Sequence, residues 1–305
     1  MTGLDSPAPI QRYGYEAFGL AFRSDFPIAG LRESQAAPQV IIQAGPVDVA
    51  LGKSSEIASE AGFGYYKLSV PDVARYAAID GRQIIVQVEP GARLNQVRQL
   101  MFGSVFSALL HQRGRLVLHG GGVAGENGAV IIAGHSGRGK STVLAALVRR
   151  NRMLMCDDVA TVEVDDEHGP LLHAGPSQIM LAADSVTRFE LAPSADLEQI
   201  FDKYAYRPRV AASPQRVKHI VILEYGRELT ASSRLLSPAE AFVVIRTFTR
   251  NRGIVERLQL RERNVRLAAA VANTVPVTVI QRPPEVDSVA AVVDIVDAIV
   301  RASTA

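Results

Sequence analysis

The stretch Gly134-His135-Ser136-Gly137-Arg138-Gly139-Lys140-Ser141 constrains this chain more than any other, because it satisfies G-x-x-x-x-G-K-[ST] at every fixed position. Its flanks matter as much as its letters. Ala129 to Ala133 is a short apolar run bounded by Gly128 and Gly134, which predicts a buried strand. Thr142 to Arg150 carries apolar residues at helical spacing and ends in cations, which predicts a helix. Between a strand and a helix, glycines let successive N–H groups converge on phosphate oxygens, and the helix N-terminus adds partial positive charge. In that arrangement Gly134, His135, Ser136, Gly137, Arg138, Gly139, Lys140, Ser141 and Thr142 surround a nucleotide, Lys140 reaches its β- and γ-phosphates, and the Ser141 hydroxyl holds Mg²⁺.

A further apolar run, Met153-Leu154-Met155-Cys156, ends in Asp157-Asp158, seventeen and eighteen residues beyond Lys140. Ligands of doubly wound sheets collect at the carboxyl ends of strands, so a strand parallel to the first would deliver both acids to the nucleotide. One acid could hold Mg²⁺ and the other accept the proton of an attacking hydroxyl. The residues themselves allow either assignment. A competing reading makes Val221-Ile222-Leu223-Glu224 a Walker-B-like strand whose Glu224 orients water, and the chain a nucleotide hydrolase or a nucleotide-dependent regulatory or binding protein.

The 305 residues are 48% apolar, enough for a substantial core, and the net charge of +2 is too mild to imply nucleic-acid binding. A single cysteine, Cys156, excludes an internal disulfide framework and reads as a packed core thiol. Met1 to Tyr15 lacks the apolar core of a signal peptide and no stretch approaches the length of a membrane span, so a cytoplasmic protein without membrane partners is expected. His111 and His173 read as hydrogen-bonded structural residues. Asp165 to Gly169 reads as a solvated hairpin tip. Lys203, Arg207, Arg209, Arg216 and Lys218 form a loop-like basic stretch that suits either a solvated face or contact with phosphates or an acidic peptide.

Two domains are expected. Residues 1–90 hold short alternating runs punctuated by Gly, Pro and Asp, including a hairpin signal at Asp80-Gly81, and predict a β-rich subdomain. Residues 91–305 open with one long helix from Leu94 to Leu109, then a strand from Arg115 into Gly120-Gly121-Gly122, an Asn127-Gly128 turn and the glycine loop. Ser237-Pro238-Ala239-Glu240 is a capping box opening a helix to about Arg252. Helical spacing follows from about Val255 to Val271, then a strand at Pro276 to Ile280 and an amphipathic helix from Val286 to Arg301.

Taken together, His119-Gly120, the loop Gly134 to Ser141 and Asp157-Asp158 resemble, in order and spacing, the catalytic domain of bacterial HPr serine kinase/phosphorylase. The resemblance is close over about 45 residues and loose over about 190. It implies an α/β fold with a P-loop kinase core of the HPr kinase/phosphoenolpyruvate carboxykinase type, and use of ATP and Mg²⁺ to phosphorylate a serine. It also implies that His119 sits near the transferred phosphate, with Lys140, Asp157 and Asp158 as the other catalytic residues, Asp158 slightly favoured as the base and Asp157, with Ser141, as the metal ligand. The His-x-x-Glu-Ile-Arg-Gly segment of the regulatory enzyme is missing from residues 159–181. The opening, Tyr15 to Leu20 and Phe26-Pro27-Ile28, is instead similar to diverged HPr-kinase-like proteins of peptide-modification systems, including lasso-peptide precursor kinases. The implied acceptor is a hydroxyl on a peptide or small protein; the residues themselves leave a homo-oligomer open.

Overall fold

In the first part of the chain, the runs Val40–Ala44 and Gln83–Val88 alternate in exposure and are strands, as a pleat that sends successive side chains to opposite faces requires. The structure, a computed structural model, describes residues 12–48, 56–165, 167–191, 197–211, 214–228, 230–284 and 287–302. Residues 1–11, on which the expectation of no signal peptide largely rests, lie outside them, as do Asp166 of the expected hairpin tip and Val286. Eight strands form the first sheet: β1 (Tyr13–Ala17), β2 (Leu20–Ser24), β3 (Arg32–Glu33), β4 (Val40–Ala44), β5 (Ala58–Gly62), β6 (Tyr65–Val70), β7 (Ala74–Ile79) and β8 (Gln83–Val88), in the order β3-β1-β2-β4-β8-β7-β6-β5. Asp80 and Gly81 turn the β7–β8 hairpin at φ of 49° and 64°, the left-handed conformation this dipeptide tolerates.

The helical segment after residue 93 packs its apolar face on this sheet, but it is not one regular helix. It comprises α1 (Leu94–Leu100), a π-helical turn (Met101–Val105) and α2 (Phe106–Gln112). The buried pairs Met101-Phe102, Val105-Phe106 and Leu109-Leu110 recur every four residues, more than the 3.6 of an α-helix, and a wider turn takes up the difference. Phe106 is the centre of this layer. Its ring lies 5.3 Å from Phe22, 5.6 Å edge-on from Phe18 and 5.7 Å from Phe102.

The second sheet contains β9 (Leu116–Leu118), β10 (Gly120–Ala124), β11 (Ala129–Gly134), β12 (Met153–Cys156), β13 (Ala160–Asp165), β14 (Gly169–Leu172), β18 (Gln215–Tyr225), β19 (Ser232–Leu235) and β20 (Val277–Arg282). A third, three-stranded sheet is formed by β15 (Ile179–Leu181), β16 (Leu197–Ile200) and β17 (Lys203–Tyr206). In the second sheet β11, β18 and β20 are parallel neighbours, β10 and β12 continue one side, and β14, β13 and β9 extend from the start of β18. The sheet is mixed rather than the expected doubly wound one. β10, antiparallel to both, lies between β11 and β12, so β12 runs in the direction of β11 and their carboxyl ends share an edge.

Alternation decides which helices cover which face. Ile131, Ala133, Ile220 and Ile222 meet Ala241 and Ile245 of α5 (Pro238–Thr247) and Ala268, Val271 and Ala272 of α7 (Arg261–Thr274). Val130, Ile132, Val221 and Leu223 meet Val143, Leu144 and Leu147 of α3 (Lys140–Arg149) and Val292, Val293, Val296 and Val300 of α8 (Val289–Ala302). The helix at Ser237 ends at Thr247, not near Arg252, because Thr249 bridges to Leu118 and the Arg250 N–H bonds to the Val117 carbonyl. The helical stretch expected from Val255 is two helices, α6 (Arg252–Arg257) and α7. A short α4 (Ala183–Arg188) follows β15. The basic stretch is a loop only in part: Lys203 lies in β17 and Arg216 and Lys218 in β18, while Arg207 and Arg209 lie in the connection between them. Among the described residues no helix is long and apolar enough to cross a membrane.

Phe106, fully buried among three aromatic rings, tests the layer that joins the first sheet to the helical segment. Phe106→Ala should cost about 3–5 kcal/mol of folding free energy, measured by urea unfolding.

Candidate active site

The strand–loop–helix expected at the glycine motif is the β11–α3 connection. Gly134 allows β11 to run against β18, because a Cβ there would lie 2.6 Å from the Leu223 carbonyl oxygen. Gly139 precedes the helix at φ 86°, where a side chain would be strained. Lys140 is buried, and its Nζ donates to the carbonyls of Gly134 and His135 at 2.8 and 2.9 Å. Burial lowers its pKa, and the nearby charges of Asp157 and Asp158 act in the opposite sense. The other loop side chains are also engaged: His135 packs edge-on against Phe248, and the Arg138 guanidinium lies 3.7 Å from the centre of the Tyr225 ring. The Thr142 hydroxyl lies 2.9 Å from that of Ser185. The Arg282 guanidinium lies 5.0 Å from the centre of the same ring, and the Tyr225 hydroxyl donates to Gly137 O.

His119 and the two aspartates are brought together by one device. The β9–β10 segment is interrupted at His119, and the antiparallel β12–β13 segment is interrupted at Asp157 to Val159. β10 pairs with β12, and β9 with β13, so the two breaks lie side by side. Asp158 takes φ 68° at its break. Arg250 closes the gap. Its Nη1 donates to Asp158 Oδ1 at 2.6 Å, to the Asp158 carbonyl at 3.1 Å and to His119 Nδ1 at 2.6 Å. His119 Nδ1 also lies 3.2 Å from Asp158 Oδ1, so the imidazole, the carboxylate and the guanidinium meet in one three-way contact.

The two acids differ electrically. Asp157 is pushed up to about 6 by burial, then by the charge of Asp158. Its carboxylate accepts from the Met180 N–H at 2.9 Å and from Ser141 Oγ at 3.2 and 3.3 Å. For Asp158 burial again favours the neutral form, but the hydrogen bonds and charges of His119 and Arg250 outweigh it and hold the carboxyl well below the usual range. Among the described residues no three His, Cys, Asp or Glu side chains form a metal cluster. Mg²⁺ commonly binds one or two carboxylates and fills its remaining positions with waters and substrate phosphates. The adjacent Ser141 hydroxyl and Asp157 carboxylate fit that donor set.

Two cavities meet at this point. One of about 490 Å³ is floored by the glycine loop and lined also by His119, Asp184, Arg188, Tyr225 and Arg282. One of about 280 Å³ lies between the π-helical turn and the β16–β17 connection. Both include Ser141, Asp158, Met180 and Lys203 in their walls, and Asp157 and Arg250 line the smaller. A separate cavity of about 450 Å³, at the Gly30 to Arg32 turn and the Ala174-Gly175 backbone, holds none of these residues. Glu224 lines neither of the two joined cavities and sits beside Gln281 on β20.

Sequence reasoning missed Arg250, which it placed inside a helix, and drew Lys203 only as part of a basic stretch. His111 and His173 are structural, as expected. Buried His111 is held near 4 by desolvation and hydrogen-bonds the Arg250 carbonyl, and His173 meets Glu163.

The raised pKa of Asp157 fixes the sign of one measurement. Ionising it costs more in the folded protein than in the unfolded chain, so this penalty is absent below the unfolded value near 4 and complete above about 6. In metal-free buffer, Asp157→Asn should therefore raise unfolding free energy on the order of 1–2 kcal/mol at pH 7.5, with the gain shrinking toward pH 4. Urea titrations across that range read it out.

No protein-family model matches the chain, and no curated protein matches it either. Among solved structures it is similar to the HPr(Ser) kinase/phosphatase from Coxiella burnetii, with 13% identity and a TM-score of 0.33, over 60% of this chain and 95% of that one. A likeness that distant assigns no activity, so function has to be read from the side chains themselves.

Proposed function

We propose that this chain is an ATP-dependent kinase that transfers the γ-phosphate to a serine or threonine hydroxyl of a peptide or small protein. The observation that carries the reading is the junction of two cavities at Asp158, one beside the glycine loop and Lys140, the other open to an acceptor. A hydrolase needs room for water only, whereas a transferase needs a second site in line with the first.

In this reading the larger cavity takes ATP, with the triphosphate over residues 134–142 and Lys140 at the β- and γ-phosphates. Ser141 and Asp157 would hold Mg²⁺, which when bound neutralises charge on the phosphate oxygens. The acceptor hydroxyl donates to Asp158, whose low pKa keeps it ionised and able only to accept. As the bond from the acceptor oxygen to the γ-phosphorus forms and the bond from that phosphorus to the bridging oxygen breaks, the hydroxyl proton passes to Asp158 and ADP leaves. A loose transition state asks for positioning more than for a strong base. His119 Nε2–H donates a hydrogen bond to an oxygen of the moving phosphoryl group, and Lys203 and Arg282 add positive charge around it.

The placement of Glu224 outside both cavities disfavours a hydrolase built on that residue. Lys140→Ala should lower phosphopeptide formation from γ-labelled ATP at least ~100-fold, and Asp158→Asn by ~10²–10⁴-fold, with MgATP binding retained in the latter. Unimpaired transfer by Asp158→Asn would remove its role as base. Because Arg250 helps hold Asp158 ionised, Arg250→Ala should raise that pKa and move the acid limb of the kcat/KM profile to higher pH; a limb that stays in place would contradict the pairing.

A further inference from the structure

The smaller of the two joined cavities carries a feature that the transfer chemistry does not need. The β16–β17 connection consists of Phe201 and Asp202, and Phe201 has φ 54° with 44% of its surface exposed. Glycine or asparagine is usual in that conformation, and a bulky aromatic there is strained. An exposed phenylalanine also gains little from folding. Both costs fall on one side chain at the wall of the cavity, and strain of this kind points to function when something else in the structure sits beside it. Leu100 and Ser104, next to and within the π-helical turn, also line it, and Asp202 stands at the same connection as Phe201.

The size of the cavity limits its occupant. About 280 Å³ lies at the small end of ligand sites, room for an amino-acid side chain and part of a neighbour but not for a second nucleotide. We propose that it receives the acceptor serine or threonine as part of an extended peptide, and that Phe201 selects an apolar residue beside the acceptor. The proposal rests on the kinase reading above. The neighbour packs between Phe201 and Leu100, an acidic neighbour meets the carboxylate of Asp202 and is rejected, and the hydroxyl is left against Asp158. The first sheet thereby takes part in substrate choice, because the π-helical turn that forms one wall is anchored on it by Phe102 and Met101.

The test uses the full-length protein, saturating MgATP and two peptides, Gly-Gly-Leu-Ser-Leu-Gly-Gly and Gly-Gly-Asp-Ser-Asp-Gly-Gly. The wild-type protein should favour the leucine peptide in kcat/KM by about tenfold or more. Phe201→Gly, which suits the backbone conformation better, should bring the two peptides within about twofold of each other, through KM for the leucine peptide rather than kcat. MgATP affinity by calorimetry should not change. A leucine preference that survives Phe201→Gly overturns the role of Phe201 alone. Absence of any preference in the wild-type protein overturns the selection of an apolar neighbour. A protein that binds MgATP yet phosphorylates neither peptide contradicts the transferase reading and this proposal with it.

Discussion

The contact on which the site depends is the fork of Arg250 against Asp158 and His119. Two antiparallel chain segments, β9–β10 and β12–β13, are each interrupted at the same level, and an interruption in a buried sheet leaves backbone groups and side chains without their ladder partners. Arg250 supplies what is lost there, donating to the Asp158 carbonyl, to its carboxylate and to the imidazole. Its own position is fixed from behind, by a backbone bond to Val117 and by His111 on its carbonyl. Removing a charge held this way leaves an uncompensated partner, which is why such pairs are costly to break even when they add little net stability.

The same contact separates two adjacent carboxylates that would otherwise titrate alike. Asp158 is kept ionised by cationic and hydrogen-bonding neighbours, while Asp157, deprived of water and facing Asp158, rises toward 6. Pairs of acids pushed apart in this way mark sites where the two do different work. The geometry agrees with the electrostatics: Asp157 turns to the loop hydroxyl Ser141, and Asp158 turns to the junction of the cavities.

Much of this was legible in the sequence because it is local. The strand, loop and helix at residues 129–149 are encoded by periodicity and glycines within twenty residues of each other, and Asp157-Asp158 directly follow the apolar run that predicts β12. Their delivery to the loop depended on β12 running in the direction of β11, which holds, although by way of an inserted antiparallel strand that no periodicity reveals. Arg250 was not legible. It meets Asp158 across 92 residues of chain, and the helical pattern that precedes it gives no sign of where the helix stops. Phe201 and Lys203 were hidden for a related reason: β16 and β17 are short, and proline-punctuated sequence around them reads as loop until pairing with β15 is seen. The π-helical turn leaves a trace in the four-residue recurrence of buried pairs from Met101 to Leu110, which a search for 3.6-residue spacing reads as a single helix.

A structure with a non-hydrolysable ATP analogue and Mg²⁺ tests the central claim most directly. The account predicts a terminal phosphate between Lys140 Nζ and the Asp158 carboxylate, with Ser141 and Asp157 on the ion and the smaller cavity opening onto the face of the phosphorus away from ADP. A nucleotide whose terminal phosphate points toward Glu224, or lies out of reach of Asp158, would contradict it.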